Sequence, residues 1–135
     1  MPSEQSHREQ AKYNEEAALS IRDTSPDWAV TMCFYSALHW VAWYAKVHGD
    51  DLEQQYQGRQ SPHDRLLDYV RDLAGTKQDR DLVKAYKNLR NESQIARYLS
   101  DKMNTNSRIY YSRLKTREVD NCFDNLRIVK QRLNS

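Results

Sequence analysis

The chain has 135 residues, 39% hydrophobic and 30% charged, with a formal net charge of +2. That is the length of one domain, large enough to build a core without disulfide or metal staples. A mean hydropathy of −0.99 belongs to a chain that folds in water. Three glycines, three prolines and long stretches of Leu, Ala, Glu, Lys, Arg and Gln favour helix over sheet.

In chain order, the first helix is expected from about Ser6 to Ile21, with Ala11, Ala18 and Ile21 as a weak inward stripe. Residues 1–5 are expected to fray, and His7 lies at that frayed start. The first apolar run begins near residue 28, after an acidic, polar stretch, so a cleavable signal peptide is not expected. The second helix opens at Ser25-Pro26, a capping serine followed by proline at the first helical position. It carries the run Trp28 to Ala45, eighteen residues without a charge, and stops near Gly49.

A helix apolar on every side has to be buried on every side. Eighteen residues also reach the lower limit for spanning a bilayer. Thr31, Ser36 and His39 interrupt the run, Asp27 stands at one end, and no basic cluster marks a cytoplasmic side. A core helix is the better reading, and no membrane is expected.

A polar loop follows from Asp50 to Gln60. The third helix opens with Ser61-Pro62-His63-Asp64, carries Leu66, Leu67, Val70 and Leu73 on its apolar face, and ends at Gly75. The fourth is placed from about Thr76 to Leu99, with Leu82, Tyr86, Leu89, Ser93 and Ala96 as its buried stripe. Residues 101–115 read as a basic loop or irregular segment around Tyr110 and Tyr111. The last helix opens at Thr116, and Val119, Cys122, Leu126, Val129 and Leu133 alternate three and four apart, the spacing of a bundle seam. The expected fold is all-α: a single domain over residues 1–135, an antiparallel up-and-down bundle of four or five helices with a buried central aromatic helix. Cys33 and Cys122 fall at apolar positions and read as buried thiols of a reducing cytoplasm.

Charge is divided unevenly. Residues 1–75 hold 7 Lys and Arg against 12 Asp and Glu, a balance of −5; residues 76–135 hold 14 against 7, a balance of +7. A basic half suits an anionic partner, and equally a solvated surface of interspersed charges.

Three stretches then line up: Phe34-Tyr35-Ser36-Ala37-Leu38-His39 in the second helix, Ser61-Pro62-His63-Asp64-Arg65 at the start of the third, and Tyr86-Lys87-Asn88-Leu89-Arg90 with Ala96-Arg97-Tyr98 in the fourth. Their order and placement resemble the HEPN family (higher eukaryotes and prokaryotes nucleotide-binding), in particular its small stand-alone bacterial members. The resemblance covers roughly residues 10–133. It implies an up-and-down helical bundle, a homodimer, and a role as a metal-independent ribonuclease of toxin–antitoxin or antiviral defence type, or as a catalytically silent unit that binds RNA, a nucleotide, or a protein partner such as an antitoxin. Active members carry an arginine, four to six intervening residues and a histidine. Arg90 matches the arginine. The three histidine slots hold Ile95, Ala96 and Arg97, none of which can act as a base.

On a helical wheel Arg90, Gln94 and Arg97 share one strip, with Ser93 beside it. The two arginines stand about 10 Å apart along the axis, a spacing that suits two phosphates of one strand. Tyr98 offers a face for base stacking. Both arginines could instead pair with Asp64 or Asp68. His39, inside the apolar run, reads as a neutral core residue or as a cleft residue. His63 sits in a first helical turn, where the positive helix end favours the neutral imidazole. A composite site of His63, Arg90, Arg97 and Tyr98 would carry catalysis if the chain is active. Arg108, Tyr110, Tyr111 and Arg113 interleave aromatic and basic residues, the pattern of a single-strand platform and also of a loop folded with rings inward and charges outward. The glycines are too scattered for a phosphate loop, and no cysteine, histidine or carboxylate spacing suggests a metal site, so neither cofactor nor metal is expected.

Overall fold

The computed structural model describes residues 2–59, 61–98 and 105–135, and every regular element among them is helical. Helix α1 spans Glu4–Ile21 and begins two residues before the expected Ser6. Ser3 explains the difference: its extended backbone and side-chain oxygen cap the Ser6 amide at 3.1 Å. Residues 4 and 5 are therefore helical, which corrects the expected fraying for all but the very start; Met1 lies outside the described residues.

Helix α2, Pro26–Val47, contributes thirteen buried residues, among them Phe34, Trp40 and Tyr44. It packs against α1 and against three later helices: α4 (Pro62–Lys77), α5 (Arg80–Arg97) and α7 (Thr116–Asn134). Small side chains let α1 approach α2 closely. Ala11 and Ala18 are fully buried two turns apart, and the buried Ser36 hydroxyl donates to the Ala11 carbonyl at 2.7 Å. Gly49, at φ +72°, ends α2 with paired bonds: its N–H reaches the Lys46 carbonyl and the Asp50 N–H reaches that of Ala45. The expected loop after it contains a single helical turn, α3 (Leu52–Gln55), capped by Asp51; Gln60 at the loop's end lies outside the described residues.

The boundary between α4 and α5 differs from the sequence expectation. Gly75 does not stop α4, which continues to Lys77. Gln78 takes the left-handed conformation at φ 53°, and the Asp79 N–H closes the end on the Ala74 carbonyl at 2.8 Å. Asp79 then caps the next helix by accepting from the Leu82 N–H at 3.1 Å. A side chain able to cap α5, placed directly after the reversal, outweighs the glycine as a stop signal. Helix α5 ends at Arg97, with Tyr98 already extended, short of the expected end at about Leu99; Leu99 itself lies outside the described residues, as do 100–104.

The segment before α7 is more regular than a loop. A short turn, α6 (Ser107–Ile109), runs into five residues of wide π-type helix, Tyr110–Leu114, with Asn106 capping the Ile109 amide. Leu82, Tyr86, Leu89, Ser93 and Ala96 are buried on α5, and Val119, Cys122, Leu126, Val129 and Leu133 on α7, as their spacing requires. Cys33 and Cys122 are both buried free thiols, and burial raises Cys33 to about 12. No helix among the described residues is long and apolar enough to cross a membrane.

Candidate nucleic-acid interface

The end of α5 brings several candidate groups together. Arg97 is half-buried and folds back along its own helix, its Nε donating to the Ser93 carbonyl at 3.2 Å. Its Nη1 donates to the Tyr35 hydroxyl at 3.0 Å. The guanidinium carbon lies 5.6 Å from the Tyr35 ring centre and 5.3 Å from that of Tyr98. Arg97 is thus held between two aromatic faces. It has no acidic partner among the described residues. Tyr98 is 63% exposed, so one face of that ring stays open.

Arg90 is arranged differently. Its Nη2 donates to Asp64 Oδ1 at 3.0 Å, the structural pairing that its surroundings allow. Asp64 also lies 4.0 Å from Arg59, which holds Asp68 at 2.9 Å, and Asp68 lies 3.8 Å from Arg71. Charge therefore alternates along the face of α4, and half of the expected strip is already neutralised. Arg90 Nε is buried without an acceptor among the described residues. Gln94, between the two arginines, is exposed.

His63 joins this group through α2. Its ring packs 5.8 Å from Phe34 and edge-on, 5.9 Å away, to Tyr35, the residue that receives Arg97. Its pKa is held below the ordinary imidazole value, chiefly by burial, then by the Arg97 and Arg90 charges, against a smaller opposite pull from Asp64. The neutral form expected from the helix end is favoured, but burial against two aromatic rings and the two arginines are what favour it. His63, Arg90, Arg97 and Tyr98 thus gather around Tyr35. The sequence assigned Tyr35 no role, because a hydroxyl in an apolar run gives no periodic signal of which side it faces.

The second candidate patch does not join the first. Tyr111 is fully buried, and its hydroxyl donates to Glu92 Oε2 at 2.8 Å and lies 3.1 Å from the Glu92 carbonyl. Tyr111 therefore has no free face for a base, which corrects its place in a stacking platform. Tyr110 is half-buried, edge-on to it at 5.2 Å. Arg108 and Arg113 point to solvent. The rings-inward alternative is the arrangement found. Glu92 lies about 200° around the helix from Arg90, so Tyr111 anchors this segment on the far side of α5 from Arg90 and Arg97.

Two histidines outside this group face each other. His39, read as a core residue or a cleft residue, is partly buried, and its Nδ1 lies 3.0 Å from Nδ1 of His7. His7 carried no expected role, and the capping serine three residues ahead of Ser6 was the available signal that α1 begins early enough to order it. No group of three or more metal-ligating side chains is found among the described residues. Comparison with models of protein families, with curated proteins and with solved structures gave no match. The likeness to the HEPN family therefore stands on the residues quoted for it.

Proposed function

We propose that this chain is a HEPN-like helical protein, an antiparallel up-and-down bundle around α2, that binds RNA or a nucleotide through the end of α5. The observation that carries the reading is Arg97. A guanidinium between two tyrosine rings, with no carboxylate to neutralise it among the described residues, is a ready phosphate ligand beside an open stacking surface on Tyr98. Arg90 is already partly neutralised by Asp64. The family's own histidine slots, Ile95, Ala96 and Arg97, supply no base, so the reading is of a binding protein of toxin–antitoxin or defence type, cytoplasmic and without a cofactor. The test is anisotropy of labelled single-stranded RNA over a salt series. Arg97→Ala should weaken binding and reduce the log–log salt slope by about 0.7, the contribution of one phosphate contact on a single strand. Absence of binding by the unmodified protein at low salt sinks the proposal.

One observation favours a second reading, a metal-independent ribonuclease with a rearranged site. His63 is held neutral beside Arg97 and Arg90, in the form that can take a proton from a ribose hydroxyl while an arginine steadies the phosphate charge. Cleavage in the presence of chelator, lost in His63→Ala while binding survives, would establish it.

A homodimer is part of the same proposal. The positions of α2 left partly open include Trp28, Met32, Tyr35, His39 and Ala42, spaced four, three, four, three, with Tyr35 and His39 each also meeting a side chain of their own chain, Arg97 and His7. That is the spacing of a helix–helix seam, and Trp28 is 55% exposed on it. Sedimentation of Trp28→Glu beside the unmodified chain tests this. A monomer in both removes the seam from the reading, and an antitoxin or other protein partner then becomes the candidate for that surface.

A further inference from the structure

The first two turns of α1 rest on one side chain. From Glu4 to Gln10 every residue is exposed except His7, and the next buried position is Ala11. His7 meets His39 of α2 Nδ1 to Nδ1 at 3.0 Å, with ring centres 5.3 Å apart and planes tilted by 32°. Two ring nitrogens at that distance form a hydrogen bond only when a single proton lies between them. The neutral pair satisfies this, and so does the pair with one added proton, where an imidazolium donates to an imidazole. The doubly protonated pair does not: two N–H groups and two positive charges then face each other.

We propose that His7 and His39 form an acid-released latch, which holds the start of α1 on α2 until both rings are protonated and then frees it. The surroundings oppose the second proton. Lys46 of α2 is the charge that acts on His7, and burial depresses both rings below the ordinary imidazole value. His7 also lines a cavity of about 520 Å³ with Lys46, Arg65 of α4, and Asp50, Asp51 and Glu53 around α3. Two of those three acids are engaged: Asp50 accepts from Tyr69 at 2.6 Å, and Asp51 caps Gln54. Release of α1 removes one wall of this cavity and uncovers the His39 stretch of α2.

Because the folded pair binds its protons less readily than free imidazoles, release falls below the ordinary histidine value, about 6.5. Two imidazoles this close titrate as a pair, so release follows the second proton taken up by the pair. Hydrogen exchange followed by NMR, with each rate divided by its intrinsic rate at that pH, reads the latch at the amides of residues 7–11. Their protection should fall about tenfold or more between about pH 7.5 and about pH 4.5, while the Trp40 and Leu126 amides keep theirs. His39→Asn places an amide oxygen where Nδ1 stood, able to accept from His7 in either charge state, and should abolish the loss. His7→Asn is the reciprocal variant if the first is poorly folded. Protection unchanged in the unmodified protein across that range, or lost equally in both variants, overturns the latch.

Discussion

Tyr111→Phe removes one hydroxyl and leaves its ring in place, fully buried and edge-on to Tyr110. Glu92 loses the donor to Oε2 at 2.8 Å. A hydrogen bond to a charged acceptor contributes about 1.5–3 kcal/mol, and Glu92, only half-buried, can turn partly to water, which places the loss at about 1.5–2 kcal/mol near neutral pH. The pH dependence is the sharper test. Burial already holds the Glu92 carboxyl above its usual range, and the Tyr111 bond is the main influence pulling it back. Without that bond the folded carboxyl rises further, so the folded state binds protons that the unfolded state has released, and stability falls as pH rises through the carboxylate range. The deficit should shrink to about 0.5–1.5 kcal/mol near pH 4, where the bond joins two neutral groups. Urea unfolding followed by tryptophan fluorescence at both pH values, with an unchanged slope, measures this. A loss under about 0.5 kcal/mol near neutrality, or the same loss at both pH values, refutes the anchoring of this segment through Glu92.

Three further outcomes are expected. Gln78→Gly should stabilise the chain by about 0.5–1 kcal/mol in the same unfolding assay, because a residue with a Cβ now occupies the left-handed end of α4; a loss of stability would mean that the Gln78 side chain does more than close the helix. Acid should weaken the fold from about pH 7 downward: His7, His39 and His63 all have lowered values, so the unfolded state gains protons first, and thermal midpoints that stay flat from about pH 7 to about pH 5 contradict this. Asp64→Ala frees Arg90 from its 3.0 Å partner and should tighten RNA binding several-fold in the anisotropy assay, whereas weaker binding would make Asp64 a ligand contact in its own right.

Apolar spacing on α5 and α7 decided which faces are buried, because a helix of this length has one way to hide Leu82, Tyr86 and Leu89, or Val119, Cys122 and Leu126. Pro26 and Pro62 located two helix starts for a similarly local reason, a fixed φ at the first helical position; Ser61 adds a side-chain cap on the Asp64 N–H, whereas the serine expected to cap α2, Ser25, makes no such bond. Helix ends were less legible. Gln78 took the glycine's role because the closing bond and the Asp79 cap act together across the reversal, and neither shows in composition. The candidate site was half legible. Arg90, Arg97 and Tyr98 are visible on one helix, but only tertiary structure gave Arg90 to Asp64, set Arg97 between Tyr35 and Tyr98, and brought His63 beside them. It also turned Tyr111 inward, away from any ligand, and joined His7 to His39 across thirty-two residues. The sequence by itself determined which residues are hidden within each helix, since periodicity is a property of one chain segment. Which polar groups meet was decided by the packing of α2 against its neighbours, since a partner from another helix leaves no mark on the spacing of the first.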